Sequence, residues 1–365
     1  MRDESGSEVG DRRNSVSEMS DESKNANNQP LYRQLLGRWE AADVAPLISL
    51  AVLIVFFSIA APGFLGWASL SLILKQGSIL LVVSVGLTFV LLCAEIDLSV
   101  GMMAVWASSL CGWLFHYFGG GNADTPDPSA AAVALCLLAP PVTCLLLGFC
   151  AGALTVFSRL PSFIITLAMM FIAEGMALYL TKSKKLNVPE VLGQLGNQGI
   201  ELSESFKIPY SNAILAGLIL FAGHLVLQHT RFGRYVYMTG GNREAARLAG
   251  IRTGWVVIAC LAICAVTAGL GGLINAGRMT SATADQNKDL LLSAVACVVL
   301  GGTSLFGGHG SMGKTLIGVL TYTSLYVGLL QIDWIDDLAR QLLTGVVLLG
   351  ALVINGVLSR QSNST

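Results

Sequence analysis

The string Gly308-His309-Gly310-Ser311-Met312-Gly313-Lys314-Thr315 matches the phosphate-binding pattern GxxxxGK[ST] letter for letter, and Gly308, Gly310 and Gly313 also satisfy GxGxxG. In a phosphate loop the backbone amides cradle the phosphates and the lysine reaches the terminal ones. That chemistry needs a preceding strand, a following helix and a soluble α/β domain that supplies a metal-binding aspartate. Here the string lies between LLLSAVACVVLGG and TLIGVLTYTSLYVGLL, both apolar enough for a membrane, in a chain whose 40 glycines make glycine patterns cheap. The string is therefore read as a glycine-rich turn, with no nucleotide bound by this chain. His309 and Ser311 are the nearest approach to a nucleophile and its base, and no acid stands beside them. The 8 cysteines contain no CxxC and the 4 histidines have no ligand spacing, so no metal site is expected.

The elements around these residues are apolar. Hydrophobic residues make up 53% of the 365, charged residues 12%, and mean hydropathy is +0.66. A soluble domain carries roughly 25% charged residues. Apolar segments fall near 45–64, 70–93, 98–117, 130–157, 162–181, 211–228, 255–277, 290–302, 315–330 and 338–357. At ~20 residues per crossing this predicts an all-α, polytopic transmembrane helical bundle of about ten spans, eight at the least. The eighth segment is short for a crossing and is expected to be tilted or broken. Pro140-Pro141 predicts a kink or break in the fourth.

Three regions follow: a polar tail at 1–43, a transmembrane body at 44–358 and a short tail at 359–365. The first tail is rich in Ser, Asn and acids, lacks the apolar core of a signal peptide, and is read as disordered. With both termini inside, lysines and arginines favour the inner side, as positive-inside requires. A multi-pass protein of a bacterial inner membrane is the expectation, with the lipid bilayer as partner. No basic stripe suggests nucleic acid.

One loop between spans is strongly basic. HTRFGRYVYMTGGNREAARLAGIRTG, residues 229–254, holds Arg231, Arg234, Arg243, Arg247 and Arg252 against the single acid Glu244. Gly240-Gly241 makes a flexible turn. Asn242 is placed to cap a two-turn helix and Gly250 to end it. On that helix Ala245, Leu248 and Ala249 would form an apolar face, with Arg243 and Arg247 one turn apart on another. Such a helix is a docking knob of shape and charge, with nothing nucleophilic on it.

Glu244-Ala245-Ala246-Arg247-Leu248-Ala249-Gly250 resembles the EAAxxxG loop by which permease subunits of ATP-binding cassette (ABC) importers contact their ATPases, and GGNREAARLAGI is close to the form in ribose/xylose-type sugar permeases. Three further segments agree in order and spacing. Ile96-Asp97-Leu98-Ser99-Val100-Gly101 resembles that family's GGIDLSVG. Leu160 to Leu167 resembles its PSFIVTL, and Val299 to Gly308, with Gly301, Gly302, Gly307 and Gly308 in its glycine turns, resembles its IGGTSLFGG. Ala94-Glu95 departs from the family, standing where two glycines are usual, and the segment after Arg278 departs as well.

The resemblance implies a non-enzymatic transport subunit. A second permease chain, preferably an identical one, would complete the pathway. A cytoplasmic ABC ATPase carrying ATP and Mg would dock on Gly241–Gly250, and a periplasmic sugar-binding protein would deliver a pentose or hexose. A non-sugar solute such as a polyol, nucleoside or signalling molecule, or a secondary transporter, is the alternative.

Ionisable groups at membrane depth cost ~3 kcal/mol or more, so those present need a reason. Asp97, with Ser99 two residues on, either caps the third span or takes part in a gate. Glu174, on a face with Met170 and Leu178, pairs across spans or lines the pathway. Thr166, Asn275, Thr321 and Thr323 offer hydroxyl or amide contacts to a sugar, or serve as contacts between helices.

Overall fold

Apolar backbone has no water to bond with in a bilayer, so each such segment must satisfy its amides internally, and helices are the result. The computed structural model describes residues 41–332 except 122–127, 198, 204–205 and 288, with short stretches between 336 and 353. The tail at 1–40, residues 359–365 and half of the tenth apolar segment lie outside the described residues.

The helices are α1 (Ala41–Ala60), α2 (Trp67–Leu92), α3 (Val100–Tyr117), α4 (Ala130–Ser158), α5 (Ser162–Thr181), α6 (Glu190–Asn197), α7 (Tyr210–His229), α8 (Arg231–Gly241), α9 (Arg243–Leu248), α10 (Thr253–Met279), α11 (Leu290–Leu300) and α12 (Met312–Leu330). The first nine apolar segments each coincide with one of them. Among the described residues five helices are long and apolar enough to cross a membrane: α2, α4, α5, the Ser211–His229 part of α7, and α10. The short eighth segment is α11, of 11 residues, which runs into a turn.

Two of these helices form the centre. Buried residues fill 67% of the most apolar stretch of α2 and 78% of that of α10, against 17% in α4 and 22% in α5. The last two therefore present most of their surface outward, to lipid or to another chain. Helix α10 packs against α2, α3, α4 and α6. Small residues let it approach closely: a Cβ added at Gly272 would strike the backbone of Ala104 on α3.

Of the kink or break expected at Pro140-Pro141, the break does not occur. Helix α4 runs unbroken through Pro140-Pro141. Neighbouring turns keep their bonds and the Thr143 hydroxyl donates to the Pro140 carbonyl at 2.8 Å, so the missing amides do not end the helix. The connection between α5 and α7 holds further elements. Strand β1 (Leu186–Asn187) pairs antiparallel with β4 (Ser281–Ala282), α6 packs on α10, and β2 (Gly199–Ser203) pairs with β3 (Phe206–Pro209) as a hairpin.

Candidate functional site

Helices α8 and α9 stand end to end, joined at one residue. Asn242 closes α8 in an extended conformation, and its side-chain oxygen accepts the Ala245 amide at 3.0 Å, opening α9. At the other end Gly250 takes φ +83°, and its amide and that of Ile251 donate to Arg247 and Ala246. Both expected caps are present, on a helix of 6 residues. The apolar face expected on it is there and points away from the body. Ala246 is the residue that packs inward, whereas Ala245, Leu248 and Ala249 face out, with Leu248 88% exposed. Inward packing on the preceding turns is satisfied by one methyl, and the larger apolar side chain is left uncovered. Gly241, Arg243, Glu244 and Arg247 are exposed with it.

The turn between α2 and α3, residues 93–99, lies beneath α9. The Arg243 guanidinium pairs with the Glu95 carboxylate and donates to the Cys93 carbonyl at 3.4 Å. Glu95 is buried while Arg243 is part-exposed. Asp97 is buried too, and accepts from the Ser99 amide at 2.8 Å and the Ser99 hydroxyl at 2.6 Å. It thus turns the chain into α3, and Ser99, the capping residue, makes no side-chain bond to the helix amides. From the other side α5 clamps the same turn: the Ile96 amide donates to the Ser162 hydroxyl at 3.0 Å and the Leu98 amide to the Thr166 hydroxyl at 3.1 Å. The Asp97, Ser99 and Thr166 candidates are therefore brought together. Ser162 and Arg159 were missed, although Ser162 lies inside the PSFIITL segment. A cavity of about 550 Å³ opens here, lined by Arg159, Arg243, Arg247 and Thr253, with Glu95 its one carboxylate.

The glycine-rich turn packs against this place. Gly302, Gly307 and Gly308 take φ of +89°, +88° and +74°. The Gly308 amide donates to the Leu92 carbonyl at 3.0 Å, and the Gly310 carbonyl accepts the Tyr237 hydroxyl at 2.8 Å. Gly301 lies against the Lys314 backbone, where a Cβ would collide. Ser311 caps α12, accepting the Lys314 amide at 3.3 Å. The string that imitates a phosphate loop follows helix α11 rather than a strand.

The remaining candidates stand apart. Glu174 is half-exposed on the outward side of α5, beside Gly175, next to which a Cβ would meet only open space. Asn275 lies at the end of α10 remote from α9. Its amide nitrogen donates to Asn287 at 2.6 Å and its oxygen accepts from Arg278 at 3.2 Å, while Arg278 also donates to Gln76 at 3.2 Å. Thr321 and Thr323 donate to carbonyls of their own helix.

A helical membrane body bearing a capped, arginine-flanked knob at one end is the build of a permease component, which moves a solute. The family described as branched-chain amino acid transport system / permease component matches residues 69–354. The chain belongs to that family. It is 33% identical to the ribose import permease protein RbsC of Escherichia coli K12 over 314 residues, which is 85% of this chain and 92% of that protein. It is 28% identical to the autoinducer 2 import system permease protein LsrC of Photorhabdus luminescens, over 86% of this chain and 89% of the relative. The galactose/methyl galactoside import permease protein MglC of E. coli K12 is 26% identical, over 85% and 93%. No solved structure matches the chain significantly.

Proposed function

We propose that this chain is the membrane-spanning permease subunit of an ATP-driven importer of a monosaccharide in a bacterial inner membrane. Two copies would enclose one pathway. A separate cytoplasmic ATPase, carrying ATP and Mg, docks on Gly241–Gly250, and a periplasmic binding protein delivers the sugar. The substrate class rests on the ribose and galactose import permeases among the relatives. The observation that carries the coupling assignment is α9 itself: a helix capped at both ends that holds Leu248 out uncovered between arginines. Uncovered apolar surface of this kind, rimmed by charge, is a protein contact site. The α9 end of the body then faces the cytoplasm, both termini lie inside, and the transmembrane body extends from residue 44 to 358.

Docking converts ATP-driven closure of the ATPases into a push on α9, and the body switches access as rigid pieces. The chain itself needs no catalytic group. The Glu174 side of α5 faces the second copy or the pathway, because a carboxylate facing lipid is costly. Import of a non-sugar signalling molecule is the second reading, favoured by the relative that imports autoinducer 2.

Deletion of residues 242–250, or Glu244→Lys, is expected to abolish uptake while the chain still reaches the membrane. ATP-dependent uptake that survives the deletion unchanged would sink the coupling assignment. Competition for uptake between labelled ribose, galactose and unrelated polar solutes separates the two substrate readings.

A further inference from the structure

The Glu95 carboxylate joins the ATPase-facing helix to the membrane body at one point. Arg243 is the first residue of α9, and its guanidinium holds both the Glu95 carboxylate and the Cys93 carbonyl. Glu95 sits buried in a turn that is itself held by α5, through Ser162 and Thr166, and by the glycine-rich turn, through Gly308 on Leu92. Thus α9, the α2–α3 turn and α5 form an unbroken sequence of direct bonds.

A carboxylate taken out of water and deprived of its partner is strongly unfavourable, whereas an exposed guanidinium regains water easily. A displacement of α9 therefore cannot leave Glu95 behind at little cost. Either the turn moves with Arg243, or the carboxylate passes to Arg159 or Arg247, the other cations lining the same cavity. In the first case the turn moves with α9, and in the second it is re-seated as α9 leaves.

We propose that the Glu95–Arg243 ion pair is a coupling latch, through which movement of α9 under the ATPase is passed to the α2–α3 turn and on to α5. Glu95 acts here as a positioning residue and touches no solute. This rests on the importer reading above.

The test uses the full importer, permease with its ATPase and binding protein, reconstituted in vesicles with ATP inside. Uptake per ATP hydrolysed is measured for wild type, Glu95→Gln, Arg243→Gln and the double variant, with retention of the ATPase on the purified permease as the assembly check. Glu95→Gln is expected to lower sugar moved per ATP by roughly two- to thirtyfold with the ATPase retained. On the Arg243→Gln background the same change is expected to add nothing, because both act through one contact. The swapped pair Glu95→Arg with Arg243→Glu is expected to recover part of the loss, and serves on its own if Arg243→Gln fails to retain the ATPase. A wild-type transport ratio in Glu95→Gln overturns the latch. So do losses that multiply in the double variant, or a swapped pair no better than Glu95→Gln. Wild-type uptake that needs no ATP would instead overturn the importer reading itself.

Discussion

Gly240 on α8 and the Leu92 carbonyl at the end of α2 approach so closely that no side-chain atom fits between them; a Cβ on Gly240 would fall on that oxygen, with the Gly308 amide next in line. The carbonyl is already bonded to that amide at 3.0 Å. Three segments far apart in sequence thus meet backbone to backbone under α9.

Gly240→Ala is accordingly expected to destabilise the chain by roughly 1–3 kcal/mol, since neighbouring backbone must shift. Thermal unfolding in detergent should show a lower midpoint than wild type. Gly241→Ala, where a Cβ meets nothing, is the matched control and should sit close to wild type.

Asn242→Ala removes the acceptor for the Ala245 amide, at a cost of about 1 kcal/mol to α9. Asn242→Asp keeps the acceptor and should retain uptake. If alanine and aspartate variants transport equally well, the cap does not matter to coupling.

Leu248→Asp changes a side chain that is 88% exposed, so stability of the permease alone should move by no more than about 0.5 kcal/mol. Retention of the ATPase, by contrast, should fall by roughly tenfold or more if Leu248 is an anchor of the contact. Co-purification and unfolding, measured on the same preparation, check both halves.

Lys314→Ala is expected to leave the ATP dependence of uptake intact, since the string around it serves as a turn and a helix cap. Nucleotide binding to the isolated permease that disappears in this variant would contradict the assignment.

What was legible in the sequence was local. The caps of α9 announce themselves because Asn242 and Gly250 act on amides two or three positions away. Nine helices could be placed because lipid-grade apolar runs have one solution for their backbone. The apolar face of α9 was legible too, since periodicity groups Ala245 with Leu248 and Ala249, but only the packing beneath reveals that Ala246 is the residue turned inward. Of the kink or break expected in α4 the break is absent, since Pro140-Pro141 interrupts only its own amides. The Glu95–Arg243 pair joins residues 148 positions apart, and no spacing rule connects them. The four ordered motifs that carried the resemblance all meet at one end of the body, yet their order in the chain says nothing of that meeting, which is why the family was readable while its geometry was not.

Helix α11 has one further consequence. Eleven residues rise only about 16 Å, roughly half a bilayer core. Its far end runs into the glycine turn beside Leu92, and before its near end comes the irregular stretch 283–287, where Asn287 meets Asn275. Irregular backbone at such depth persists only when wrapped in protein or wetted. Ala284 in that stretch is buried in the main core, so the protein itself, rather than lipid, wraps the irregular backbone there.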